Sequence, residues 1–186
     1  VSGSSSFGLC AGEVLDGITY TKVAKEFDRS SPSAMLGVME EVAHSFDDNC
    51  KVDAAHPGFI RDLNDRGIPA LPVNFGLQIR DDETNTVQSL RSKMTINASM
   101  MVANKMVKVH PAQTDLIGQM RAATFDAKGG IDKKELNADV LDAFIMMCYD
   151  LKEHDYSSIG LRQDGTVYGR DRPKSKSVKV TTQVIE

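Results

Sequence analysis

Residues 132–154, DKKELNADVLDAFIMMCYDLKEH, carry the strongest helical pattern in the chain, and the fold class turns on how they are read. Leu136, Val140, Leu141, Phe144, Ile145, Cys148 and Leu151 recur at the spacing that lines one face of an α-helix. A helix this apolar needs a partner surface. If its neighbours in the sequence are also amphipathic helices, the protein is a bundle.

The stretch just before it, TFDAKGGIDKKEL at 124–136, raises the question of an ion site. A twelve-residue calcium loop needs glycine at its sixth position, an aliphatic residue at the eighth and a bidentate glutamate at the twelfth. Gly129, Ile131 and Glu135 meet those needs, but Thr124 stands where a carboxylate is required and Lys128 where an oxygen donor is required. A lysine against the cation is repulsive. The other candidate loop, SFDDNCKVDAAH at 45–56, ends on His56 in place of the glutamate. The Gly-Gly stretch is therefore read as a left-handed helix cap, with the next helix starting near Asp132. No metal and no cofactor are expected.

Working outward, SSPSAMLGVMEEVAHSFDD offers Ser31 as N-cap and Pro32 at the first helical position, with Met35, Leu36, Met39, Val42, Ala43 and Phe46 on one face. HPGFIRDLNDRG has the proline-start, glycine-stop signature of a short helix from Pro57 to Gly67. The prolines of IPALPVNFGLQIR favour a buried extended path. From Asp82, Val87, Leu90, Met94, Ala98 and Met101 form a helical stripe, and AQTDLIGQMRAATF after Pro111 reads as another helix. The ends differ: VLDGITYTKVA at 14–24 and GLRQDGTVYG are β-prone around Asp-Gly turns, and SVKVTTQVIE alternates with period two. The expected fold is mainly α, a helical bundle core of four to five helices with β-prone N- and C-terminal arms. The expected organisation is a flexible segment over 1–13, a mainly helical core over 14–160 and a basic hairpin or extended arm over 161–186.

A chain of 186 residues suits one domain with a real core. Its net charge of -4 is split, because residues 161–186 carry +3 and leave -7 for the rest. That balance excludes a general nucleic-acid binder by charge alone. Arg170, Arg172, Lys174, Lys176 and Lys179 make the tail a candidate arm for docking on the acidic body of a neighbouring copy. The cysteines Cys10, Cys50 and Cys148 are odd in number and far apart, which argues against a disulfide framework or a zinc module. No apolar run is long enough for a membrane span, and the start VSGSSSFGLCAG does not read as a signal peptide. The expected location is a virion or the cytoplasm.

Diagnostic catalytic spacings are missing: there is no GxSxG, no HExxH and no phosphate-cradling GK[ST] after a glycine loop. His44, His56, His110 and His154 are scattered, and the chain is read as a non-enzyme. Nine methionines, with pairs at Met100-Met101 and Met146-Met147, fit helical core with a face left for self-association.

Two stretches add a family likeness. Phe75-Gly76-Leu77-Gln78 ahead of a long helix, and Gln119-Met120-Arg121-Ala122-Ala123 in the helix after Pro111, resemble runs of the same order in coat proteins of flexuous filamentous plant viruses, the potyvirus group especially. The likeness covers about ten residues between Phe75 and Ala123, and the expected aromatic pattern between the runs is missing. It implies a helical core whose arms hook neighbouring subunits, with single-stranded RNA in an inner groove held by Arg80, Arg91 and Arg121. The expected function is thus a self-assembling coat or nucleocapsid-like subunit with itself and single-stranded RNA as partners. The alternatives are a small regulatory protein with a degenerate calcium loop, or an enzyme whose site is assembled from distant residues.

Overall fold

A computed structural model of the chain describes residues 6–28, 30–46, 50–80, 86–124, 131, 138–149 and, for the backbone, 178–185. Eight strands and five helices are formed among them. The architecture is α/β, which corrects the expectation of a mainly helical bundle.

The correction begins at the N-terminus. Strands β1 (Ser6–Leu15) and β2 (Ile18–Asp28) form a long antiparallel hairpin. Its two turn residues, Asp16 and Gly17, both take positive φ, as the Asp-Gly reading of that turn requires. Residues 6–13, expected within a flexible segment, are instead part of a central strand. Phe7, Leu9 and Ala11 are buried against one layer of helices, while Gly8, Cys10 and Gly12 face the other. A strand covered on both faces shows no polar alternation. Its small residues imitate a linker in the sequence, although here they allow close packing.

Helix α1 (Pro32–Ser45) is capped by Ser31, whose Oγ accepts from the Ala34 N–H, as its sequence foretells. It leads into β3 (Cys50–Asp53), α2 (Pro57–Asp65) and β4 (Ala70–Val73), a parallel unit closed by Gly67 at φ +78°. A small ribbon of β5 (Gln78–Arg80) and β6 (Val87–Ser89) follows. Helix α3 (Leu90–Ala103) starts only there, capped by Ser89, so Val87 is exposed on a strand and does not belong to the helical stripe. Leu90, Met94 and Ala98 do face inward. After β7 (Val107–Val109) come α4 (Thr114–Ala122), α5 (Asp139–Met147) and β8 (Val178–Ile185). Apart from Thr124 and Ile131, the Gly-Gly stretch at 124–136 lies outside the described residues.

The main sheet has the order β4-β3-β8-β1-β2-β7, and β1 alone runs against the other five. Five strands therefore end at one edge of the sheet. On one face, α1 and α2 pack over Phe7, Leu9, Ala11, Cys50 and Val52; Phe7 makes edge-on ring contacts with Phe27 and Phe59. On the other, α5 is sandwiched between the sheet and α3 with α4, so all nine of its residues are buried. That explains the apolar run of the opening stretch: it is hydrophobic all round because a sheet and two helices enclose it.

Candidate functional site

Among the described residues three charged side chains are buried in this enclosed region, and each has a partner. Lys51, in mid β3, donates from Nζ to the carbonyls of Met146 (3.0 Å) and Tyr149 at the end of α5, where the helix dipole favours a cation. Asp142 is fully buried and accepts from Arg91 Nη2 through both its oxygens, at 2.7 and 3.0 Å. Asp139, the first residue of α5, accepts a hydrogen bond from Ser6 Oγ and sits at the positive end of the helix.

The sheet register assembles further carboxylates around Asp139. Glu26 pairs with Gly8, and Gly8 pairs with Gln183. Val52 pairs with Thr182, so the next residue, Asp53, stands level with Gln183. A row of Asp53, Gln183, Gly8 and Glu26 thus crosses four strands. Lys51 reaches α5, and strand alternation places Asp53 on that same face. Asp139 lies over Gly8, since a Cβ on Gly8 would run into the Asp139 carbonyl. Asp53 and Gly8 are two strand spacings apart, roughly 10 Å.

The environment of Glu26 records the crowding. Burial, and then Asp139, Asp115 and Asp28 in that order, push its carboxyl above the usual range, against a lowering hydrogen bond from Gln119 Nε2 at 2.8 Å. The Asp115 carboxylate also accepts the Glu26 N–H at 3.2 Å. Beside this row, at the same edge, lies a cleft of about 350 Å³ whose lining includes Ser6, Ser30, Pro32, His56, Pro57 and Asp62. Ser6 joins the cleft to Asp139. The first turns of α1 and α2 open onto it through Pro32 and through Pro57 and Gly58, which presents two positive helix ends to an anion.

Carboxylates at the carboxyl ends of parallel strands are placed where open α/β sheets bind ligands. Hard oxygen donors of this kind suit magnesium or manganese. Among the described residues no group of three or more His, Cys, Asp or Glu side chains is placed to hold a metal ion. A cation at this edge would therefore have to keep water and take its remaining positions from a substrate phosphate, as magnesium commonly does.

The arginines singled out in the sequence are not brought together. Arg91 is engaged with Asp142 and lies over the Phe75 ring, Arg80 is exposed on β5, and Arg121 is exposed on α4. Lys179 lies on β8 opposite Gly12, while Arg170, Arg172, Lys174 and Lys176 fall outside the described residues. Asp53, Glu26 and Asp139 were not singled out. The available signal was Asp139 and Asp142 in the first turn of an otherwise apolar helix, since acids are rarely buried without a task or partner.

The fold and site define an open α/β domain with an acidic carboxyl edge. No protein-family model matches the sequence, and no curated protein is similar to it. The fold is similar to that of the large terminase from a thermophilic bacteriophage. The complex of that protein with ADP gives a TM-score of 0.57 at 15% identity, over 77% of this chain and 35% of that one. Its complex with ATP-gamma-S gives 0.56 at 15%, over 78% and 37%. The chain spans about a third of that protein's length. These likenesses, with the sheet itself, overturn the coat or nucleocapsid reading: the chain shares the α/β fold of part of a large terminase. Among the described residues no helix is long and apolar enough to cross a membrane.

Proposed function

We propose that this chain is a domain of a bacteriophage large-terminase-type protein and that it cleaves nucleic-acid phosphodiesters with the help of divalent cations. The observation that carries the reading is the in-register row Asp53, Gln183, Gly8 and Glu26 along the carboxyl edge, with Asp139 over Gly8.

Asp53 and Asp139 are the groups that would hold the cations. Asp53 ends β3 and Asp139 starts α5, and each would supply carboxylate oxygen to a divalent cation. When bound, such ions polarise the phosphoryl oxygens and lower the pKa of a coordinated water. Ser6 fixes the rotamer of Asp139 through its hydroxyl. The cleft beside it receives the backbone on the first turns of α1 and α2, whose N–H groups favour phosphate. An acidic edge repels a bare polyanion, so cations are needed for the substrate to approach at all.

The similar structures were seen with ADP and ATP-gamma-S, yet this sequence contains no Walker-type glycine loop. Thermal unfolding with added manganese tests the cation site. The melting temperature should rise in proportion to the logarithm of ion concentration above the dissociation constant, and Asp53→Asn with Asp139→Asn should remove the rise. An equal rise in the double variant would sink the assignment.

A further inference from the structure

Helix α5 begins without a local cap. Ala138 at its N-cap offers no side-chain acceptor, so the first-turn N–H groups need partners from elsewhere. One is supplied from another helix: Gln119 on α4 accepts the Leu141 N–H through Oε1 at 2.9 Å. Its other end is also used. Nε2 donates to Glu26 Oε2 at 2.8 Å. The two partners, one a donor and one a carboxylate, fix which way the amide faces. Gln119 is buried, so neither contact is readily replaced by water.

We infer that Gln119 is a positioning residue of the carboxylate site: it ties the amino end of α5, and with it Asp139, to Glu26 at the end of β2. The inference rests on the cation-dependent function proposed above. A single amide clamps the helix that carries one acid to the strand that carries another. The separation of the acids is then set by an amide held at both ends, although like charges would drive them apart. A glutamate at 119 could still accept from Leu141 but would meet Glu26 with a second charge. A methionine would fill the volume and make neither bond.

The test compares the full chain with Gln119→Met in manganese-dependent nicking of supercoiled DNA, with amide hydrogen exchange at Leu141 followed in parallel. Outer partners of cation ligands commonly change affinity by about 10- to 100-fold. In Gln119→Met the manganese concentration for half-maximal cleavage should rise by about that factor, and the Leu141 amide should lose protection. A cation requirement unchanged from the parent, in a folded variant, overturns the inference while leaving the proposed function intact. Absence of cation-dependent cleavage in the parent chain overturns both. Should Gln119→Met not fold, Gln119→Glu replaces it. The same rise is then expected with Leu141 still protected, and no rise again overturns the inference.

Discussion

Gly8 lies directly beneath Asp139, at a separation that leaves no room for a side chain on the strand. The neighbour that a Cβ would meet is backbone, at the first residue of α5, and backbone cannot swing aside. Gly8→Ala is expected to push the helix off the sheet and to destabilise the protein by about 3 kcal/mol, the upper end for overpacking. Chemical denaturation measures it. Gly37→Ala, at a position with nothing within 4 Å, serves as the control and should be neutral or stabilising.

Arg91 was expected to hold RNA, and its geometry gives it a different duty. It is the cationic partner of a fully buried carboxylate, Asp142, at 2.7 Å. Arg91→Ala leaves that carboxylate without this cation and should cost about 3–5 kcal/mol. Arg121→Ala, on the exposed face of α4, should change stability by less than about 0.5 kcal/mol. Equal effects in urea unfolding would contradict the account of the Arg91 ion pair.

Glu26 gives a pH test with a definite sign. Its folded pKa is raised, by burial first and by Asp139, Asp115 and Asp28 after it. The folded state therefore binds this proton more readily than the unfolded chain does. Its contribution to stability is fully present below the unfolded value and is lost as pH rises through the folded one. Glu26→Gln should thus stabilise at about pH 7, by about 1 kcal/mol or less given its partial exposure. The gain should vanish toward about pH 4. Melting curves at the two pH values decide it, and a gain that grows on acidification would contradict the sign.

The helices were legible where caps and periodicity agree. Ser31-Pro32 and Pro57 through Gly67 mark α1 and α2 correctly, and Leu90, Met94 and Ala98 mark the buried face of α3. The sheet was hidden for a physical reason. Phe7 through Gly12 face helices on both sides, so the alternation that reveals a strand is between large and small residues, both apolar. Strand β3 is four residues long and carries Lys51 in its middle, a charge that looks exposed until the carbonyl end of α5 is placed over it. The site was hidden by the same crossing. Asp53 and Glu26 are far apart in the chain and come to one edge of the sheet only through the order β3-β8-β1-β2.

The most direct test of the central claim is cleavage of supercoiled plasmid DNA by the purified chain, with magnesium or manganese and with chelator, alongside Asp53→Asn and Asp139→Asn. Cation-dependent nicking is expected from the parent and should fall by at least about 100-fold in either variant, with folding retained, as removal of a cation ligand requires. Cleavage that persists undiminished in both variants, or a parent that neither binds divalent cations nor cuts DNA, would contradict the assignment of this edge as the active site.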